Sequence, residues 1–308
     1  MINEQHTLRA RTTIKGVGLH TGKVIRMDMI PADAGTGIVF VRTDIRQGDN
    51  VIPALWDKVV DTQLCTVIGN ENGARVGTIE HLMSALRGCG VDNLRIEIDG
   101  PEVPILDGSA VLFVECIEKV GKQAQNAPRR AIRVLKEVSV ELDGKRVSLS
   151  PDEGSLFEGE ITFDHGDIGH QSFSTRLING NFKHDIAQAR TFGFLHEVEY
   201  MRSQGLALGG SMDNAIVLSP EAVMNPEGLR FSNEFIRHKL LDAIGDLYLA
   251  GGVILGAYDG VKAGHMMNNK ILHALFADDA NWEYAEEISH MPVSAGQGAS
   301  EGSLVFAE

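Results

Sequence analysis

The stretch HKLLDAIGD, at residues 238–246, places three side chains of types that can bind metal ions at intervals of four residues. On a helix, His238, Asp242 and Asp246 would lie along one side, one turn apart. Two carboxylates at that spacing repel each other by roughly 0.2–0.5 kcal/mol on an isolated helix. A bound cation would offset this repulsion. The alternative is that the three residues form the solvated face of an ordinary amphipathic helix.

A second histidine stands at the same place in a related segment. IEHLMSALRGCGVDNLRIEIDG begins at Ile79, and IRHKLLDAIGDLYLAGGVILGAYDG begins at Ile236. Both segments predict a helix that starts near Ile-x-His, a glycine break, a strand and Asp-Gly. Two units of one topology, packed helix against helix, would bring His81 and His238 together. The alternative is chance similarity, since helix–glycine–strand units are common.

If the histidines converge, His81, His238 and Asp242 form a site of two histidines and one carboxylate. The i, i+4 spacing is that of HExxH zinc sites, and three protein ligands leave a position for water, whose pKa zinc lowers. Non-haem iron oxygenases use the same ligand types, and a structural metal in a non-enzymatic module is a further alternative. Glu80 favours a hydrolytic zinc site because hydrolysis needs a general base, although a glutamate there also suits the helix dipole.

Supporting roles are predicted for three further residues near these positions. Asp246 is too far along the helix for an obvious fourth ligand and is expected to orient a histidine and raise its pKa. His265 follows a glycine after the second repeat and, as a cation, would protonate a leaving amine. Lys239 lies about 100° around the helix from His238 and would bind a phosphate or carboxylate.

The segment GVGLHTGK, residues 16–23, looks like a phosphate loop but lacks the Walker A spacing. Five residues separate Gly16 from Gly22, and a valine follows Lys23. Its glycines would instead let a backbone turn approach a ligand closely, with His20 pointing toward that ligand.

Composition and charge restrict the class of protein. The net charge of −14 argues against binding to nucleic acid. The three cysteines, Cys65, Cys89 and Cys116, form no CxxC pattern, so neither a disulfide framework nor a cysteine-rich zinc site is expected. The N-terminus lacks the apolar region of a signal peptide, and no apolar run is long enough to span a membrane. These features predict a cytoplasmic protein.

The hydrophobic patterning predicts an α+β fold of two domains with similar topology, each a mainly antiparallel sheet layered with helices. The first domain would cover residues 1–125 and the second 126–280, with the polar stretch 123–130 as the linker. The active site would then lie at the domain interface. Residues 281–308 are expected to form a C-terminal segment with a disordered tail. Helices are predicted at 78–90, capped by Thr78, at 109–120, over much of 182–204 with a break near Thr191–Phe194, at 233–250 and at 268–277.

Several motifs taken together resemble the LpxC family, the UDP-3-O-acyl-N-acetylglucosamine deacetylases of lipid A biosynthesis. They are TIEH, DTQLCT, IDGPEVPILDGSA, ARTFGF, GLRFSNEFIRHKLLDAIGD and GHMMNNK, and the resemblance runs from GVGLHTGK to about residue 277. It implies two βα-sandwich domains, each with a small insert, the second within about 193–222. It also implies an enzyme with one catalytic Zn²⁺ that acts on a UDP-linked acylated amino sugar and releases acetate. An acylated substrate would in addition allow weak proximity to a membrane surface.

The resemblance also implies a role for individual residues, carried over by position. The zinc ligands would be His81, His238 and Asp242, the base Glu80, the general acid His265, its orienting carboxylate Asp246, and the oxyanion-stabilising hydroxyl that of Thr191. Substrate-binding residues would be Lys239, Phe163, Phe192, His20, Leu64 and Cys65, with Leu195, Val198, Leu206, Ala207 and Leu208 walling a passage for the acyl chain.

Overall fold

Sheets of mainly antiparallel strands, covered by helices, confirm the predicted α+β class. The computed structural model describes residues 4–178 and 180–285. The strands of the first half contribute alternate buried residues to the core, such as Ile25, Met27 and Met29. The elements of this half are β1 (Glu4–Leu8), β2 (Thr12–Val17), β3 (Val24–Pro31), β4 (Ile38–Arg42), β5 (Val51–Pro53), β6 (Val59–Asp61), β7 (Val67–Gly69), β8 (Arg75–Val76), α1 (Glu80–Cys89), β9 (Leu94–Ile98), α2 (Val111–Val120) and β10 (Lys122–Pro128).

The second half repeats this mixture of strands and helices. It also contains a short two-stranded parallel sheet and one helix within the segment expected to form an insert. The elements of this half are β11 (Ala131–Val134), β12 (Val138–Leu142), β13 (Lys145–Ser150), β14 (Ser155–Thr162), β15 (His170–Arg176), α3 (Phe182–Asp185), β16 (Phe192–Phe194), α4 (Leu195–Ser203), β17 (Ile216–Leu218), α5 (Glu234–Tyr248), β18 (Val253–Val261), α6 (His265–Phe276) and β19 (Trp282–Ala285).

The two halves place their related helix–glycine–strand units in equivalent positions. In the first half the sheet order is β2-β3-β9-β4-β5, and β9, which follows α1, pairs in parallel with β4. In the second half the order is β12-β13-β18-β11-β19, and β18, which follows α5, pairs in parallel with both β11 and β14. The sequence repeat therefore corresponds to a repeat of structure.

Helices α1 and α5 pack directly against each other, as the repeat predicted. A Cβ atom built on Gly245 would clash with the Glu80 carbonyl oxygen, so only glycine leaves room for this approach. Leu82 of α1 and Ile244 of α5 belong to the same hydrophobic core. The contact sets the first turn of α1, with His81, against the polar side of α5.

The polar side of α5 is not solvated, so the amphipathic-surface alternative is wrong. His238 is 1% exposed, and Asp242 and Asp246 are each 2% exposed. Burial of two carboxylates carries a large desolvation cost unless partners or cations surround them. The arrangement therefore requires an electrostatic explanation inside the protein.

Several local predictions are wrong. The expected linker at 123–130 is largely strand β10, which pairs antiparallel with β1. Thr78 does not cap α1: it has φ 55°, and the helix begins after Ile79 without a side-chain cap. Helix covers less of 182–204 than expected because α3 ends at Asp185, whereas the predicted break near Thr191–Phe194 is confirmed by β16. The C-terminal segment begins with β19, paired with β11, and the tail predicted to be disordered lies outside the described residues.

A helix that crosses the hydrocarbon layer needs about 20 predominantly apolar residues. Within residues 4–178 and 180–285, no helix combines that length with that apolarity.

Candidate metal centre and active site

Three buried side chains bring their potential ligand atoms together at the contact of α1 and α5. His81, His238 and Asp242 each offer one atom, and all three atoms lie within 4.8 Å of one another. Asp242 Oδ1 is 3.3 Å from His238 Nε2 and 3.5 Å from His81 Nε2. The structure therefore brings together the three residues that the sequence predicted as metal ligands.

Protonation states in this cluster fit a bound cation. The Nδ1–H of His238 donates to the Ala189 carbonyl at 3.1 Å, which leaves a lone pair on Nε2, directed at the site. Burial lowers the pKa of His238 to about 3, so its ring is neutral. Although burial alone would raise it, the pKa of Asp242 lies well below its ordinary value because of the neighbouring His238 and Lys239.

An unpaired oxygen marks the centre of the cluster. Asp242 Oδ1 is buried and accepts no hydrogen bond from any described residue, although it faces the lone pair of His238 Nε2 at 3.3 Å. Two such electron-rich atoms repel each other unless a cation lies between them. Neutral imidazoles and a carboxylate suit zinc, and also non-haem iron.

His265 and Asp246 form the predicted pair beside this cluster. The Nδ1–H of His265 donates to Asp246 Oδ2 at 2.9 Å, and its Nε2 lies 3.9 Å from Glu80 Oε1. Burial alone would lower the pKa of His265, but the charges of Asp246 and Glu80 and the hydrogen bond raise it to about 9. His265 is therefore a cation near neutral pH, the state required of a general acid.

Glu80 lies beside both His81, of the candidate metal site, and His265. Burial raises the pKa of Glu80, and the nearby His265 and His81 oppose this shift. Its Oε2 accepts a hydrogen bond from the Thr66 backbone N–H at 3.1 Å. A carboxylate with a raised pKa, fixed by a backbone donor and next to the candidate metal ligand His81, has the properties of a general base.

Sequence reasoning missed the residues that hold Asp246 in place. The hydroxyl of Thr66 donates to Asp246 Oδ1 at 2.5 Å, and the amide of Asn268 donates to Oδ2 at 2.9 Å. Asn268 in turn accepts a hydrogen bond from the Tyr258 hydroxyl at 2.7 Å. Thr66 ends the quoted motif DTQLCT and Asn268 lies within the quoted motif GHMMNNK, so both motifs contained a signal, whereas nothing singled out Tyr258.

A second unpredicted network fixes the loop that carries Thr191. The side chain of Glu234, at the start of α5, is fully buried and accepts hydrogen bonds from the backbone N–H and the Nε of Arg190, at 3.0 and 2.9 Å. Arg190 stands between Ala189, whose carbonyl orients His238, and Thr191. The ion pair therefore ties both neighbours to the helix that supplies two of the metal ligands.

A cavity of about 1280 Å³ opens beside these residues. Its volume exceeds the 300–1,000 Å³ typical of small-ligand sites, so it suits a large ligand with several chemical parts. His196, to which no sequence motif assigned a role, also lines it. The predicted site residues in its lining are Thr191, Lys239, His265, Phe192, His20, Leu64, Leu195, Val198 and Ala207.

The other predicted substrate residues lie outside that lining. The ring of Phe163 packs 5.8 Å from the ring of Phe192, and Cys65 is buried. Leu206 and Leu208 are exposed, and the backbone N–H of Leu208 donates to the carbonyl of His20. This bond ties the middle of the insert to the loop 16–23 and so holds Leu208 at the surface beside that loop.

Comparison with known proteins agrees with this geometry. Residues 5–277 match the family model described as LpxC: UDP-3-O-acyl N-acetylglycosamine deacetylase. Proteins named UDP-3-O-acyl-N-acetylglucosamine deacetylase are 48% identical in Phenylobacterium zucineum, over 92% of this chain and 98% of the relative, and 46% identical in Syntrophotalea carbinolica, over 97% and 94%. The protein of that name in Vibrio campbellii is 45% identical over 95% and 97%. The chain belongs to the UDP-3-O-acyl-N-acetylglucosamine deacetylase family, as its motifs predicted.

Proposed function

We propose that this protein is a zinc-dependent hydrolase that removes the N-acetyl group of UDP-3-O-acyl-N-acetylglucosamine and releases acetate, as a step of lipid A biosynthesis. The observation that carries the proposal is the buried cluster of His81, His238 and Asp242, with Glu80 and His265 directly beside it. The names of the related proteins support the substrate. The direct test is acetate release from that substrate by the metal-loaded chain.

The residues divide the work of amide hydrolysis between them. Zinc held by His81, His238 and Asp242 would supply a Lewis acid for the amide carbonyl and lower the pKa of water. Glu80 takes a proton from the attacking water while the water oxygen bonds to the carbonyl carbon. The Thr191 hydroxyl, at the cavity wall, donates to the oxyanion that forms.

Collapse of that adduct breaks the carbon–nitrogen bond and gives acetate and a free amino sugar. The amine leaves with a proton from imidazolium His265, which Asp246 orients through its hydrogen bond to Nδ1. This leaves Nε2 of His265, which lies toward Glu80, as the proton donor. The base and the acid therefore act from neighbouring positions.

Binding of the UDP-sugar is proposed for the polar and aromatic part of the cavity. Lys239 lines it and places Nζ 5.4 Å from the centre of the Phe192 ring. An ammonium group beside an aromatic ring offers a charge for a phosphate and a surface for a sugar or base. His20 contributes a further partly buried ring from the loop 16–23.

Two observations support a proposal for the cellular compartment and for proximity to a membrane. Cys65, Cys89 and Cys116 are free thiols, which suits a reducing compartment, and we place the enzyme in the cytoplasm on that basis. Exposed apolar residues such as Tyr200 and Met212 line the cavity and would suit weak proximity to a membrane surface.

Activity is expected to follow a bell-shaped pH profile, and Asp246→Asn is expected to move its basic limb to lower pH. The profile needs ionised Glu80 and protonated His265 together. The charge of Asp246 favours imidazolium, so its removal lowers the pKa of His265 from about 9, by about one to three units. The measurement is kcat/KM against pH, and an unchanged basic limb would argue against the pairing.

Val198→Glu is expected to impair turnover of the acylated substrate much more than turnover of the same UDP-sugar without its acyl chain. Val198 lines the cavity on α4, and each methylene that it helps to bury is worth at most about 0.8 kcal/mol. Leu206→Glu is the matched control, because Leu206 lies in the same insert but outside the cavity lining. Equal losses of kcat/KM on both substrates would remove Val198 from the acyl passage.

A further inference from the structure

A second cavity of about 660 Å³ lies at the C-terminal end of α1. Glu80 and His81 begin this helix and Gly90 follows its end, so the rise of the helix separates His81 from Gly90 by about 13 Å. Its lining residues are different from those of the catalytic cavity. Nothing in the proposed reaction uses this second cavity.

Cationic side chains converge on one point of its wall. A Cβ atom built on Gly90 would lie 3.5 and 3.6 Å from Nη1 and Nη2 of Arg129, and 3.6 Å from Nζ of Lys122. Arg87, one turn earlier in α1, also lines the cavity and donates to the Ser155 hydroxyl at 2.9 Å. Burial, and to a lesser degree the charge of Arg129, lower the pKa of Arg87 to about 10.

Glu118 also lines the cavity but pairs with Lys183 at 2.6 Å, and few other acidic groups oppose these charges. The Nε of Arg129 donates to Asp92 Oδ1 at 2.6 Å, whereas Lys122 donates to the carbonyl oxygen of Cys89. Within the described residues, Asp92 is therefore the one carboxylate hydrogen-bonded to Arg87, Lys122 or Arg129. Capping of the α1 carbonyls explains the position of Lys122 but not of the two arginines.

Arg129 also retains unused donors. It is 7% exposed, and within residues 4–178 and 180–285 its Nη2 is buried without a hydrogen-bond partner. The hydroxyl of the adjacent Tyr248 donates elsewhere, to the Val91 carbonyl at 2.8 Å. A buried guanidinium donor without an acceptor is costly. Arg129 lines the cavity, and its other terminal nitrogen, Nη1, donates to no described residue, so an anion in the cavity would supply an acceptor for Nη1.

We propose that this cavity is a second binding site, which takes a small molecule through a phosphate group held by Lys122, Arg129 and Arg87. The planar guanidinium groups and the ammonium group suit the oxygens of a phosphate. Val114 and Phe182 line the same cavity and would contact an apolar part of the ligand. The site is independent of the deacetylase reaction.

Isothermal titration calorimetry of the metal-loaded chain with inorganic phosphate and with butyl phosphate tests the site. Lys122→Gln keeps a donor for the Cys89 carbonyl but removes the charge, and is expected to weaken binding about tenfold. Lys119→Gln is the matched control: it removes the same charge from an exposed position on α2 outside the cavity, and should leave binding unchanged. Arg129→Gln, checked for folding by circular dichroism, is the second variant and should also weaken binding.

The outcomes distinguish the possible ligands and alternative sites. Tighter binding of butyl phosphate than of phosphate indicates a ligand with an apolar part, and equal binding indicates a bare phosphate group; both support the site when Lys122→Gln weakens them. Phosphate bound in the catalytic cavity would be retained by Lys122→Gln, and that result would overturn the proposal. No binding to the wild-type chain, or equal losses in Lys119→Gln and Lys122→Gln, would overturn it as well.

Discussion

Replacement of His238 by alanine is expected to remove the bound metal and the deacetylase activity together. His238 supplies the Nε2 that faces Asp242 Oδ1 at 3.3 Å, and its loss leaves two of the three donors. Activity should fall at least about 10³-fold, since general-base catalysis and metal activation of water both depend on this geometry. The measurements are metal content per chain and kcat/KM for acetate release.

His196→Ala is the control for this variant. His196 lines the catalytic cavity but does not belong to the metal cluster, so the variant should keep its metal. Circular dichroism establishes that both variants are folded. Full metal retention in folded His238→Ala would remove His238 from the set of ligands.

Glu80→Gln is expected to retain the metal and lose about 10²–10⁴-fold in kcat. The glutamine carbonyl can still accept the Thr66 N–H hydrogen bond that now reaches Glu80 Oε2, so the helix start should be preserved. It cannot take a proton from water, however. KM should change little, because Glu80 is buried beside the reacting groups and outside the cavity lining.

A glutamate elsewhere in the same cavity provides the comparison. Glu197 lines the cavity from α4 and is exposed, so Glu197→Gln removes an equal charge without touching the proposed base. Its kcat should stay close to that of the wild type. Wild-type kcat in Glu80→Gln would assign the base to another group.

The metal cluster was predictable because its information is local and repeated. His238 and Asp242 are one helical turn apart, and the place of His81 in a similar segment predicted that α1 and α5 would meet. Spacing and residue type were sufficient for this cluster. For Asp246 they predicted only a carboxylate that orients a histidine, and the family resemblance identified that histidine as His265, in agreement with the observed hydrogen bond.

The supporting contacts were not predictable because they depend on tertiary structure. The carbonyl that orients His238 belongs to Ala189, and a backbone carbonyl leaves no trace in residue type. Glu234 and Arg190 are 44 positions apart, and neither residue, considered alone, indicated more than an ordinary charged side chain. Asn268 reaches Asp246 only because α6 packs against α5.

Exposure to solvent was not determined by the sequence at two places. Periodicity fitted the polar side of α5 to a surface helix as well as to a metal site, and burial against α1 excludes the surface helix. The family resemblance placed Leu206 in the acyl passage, which stays a prediction, and its side chain is exposed and outside the lining of the catalytic cavity. In both cases, hydrophobicity along the chain did not determine which side of the element faces solvent.

Metal analysis combined with acetate release from UDP-3-O-acyl-N-acetylglucosamine by the purified chain tests the zinc-dependent deacetylase activity most directly. We expect one zinc per chain, loss of acetate release on chelation, and recovery on addition of zinc in the absence of oxygen. Chelation should leave the fold intact, since the two sheets have their own hydrophobic core. A zinc-loaded, folded chain that releases no acetate, or an activity that requires oxygen, would contradict the proposed activity.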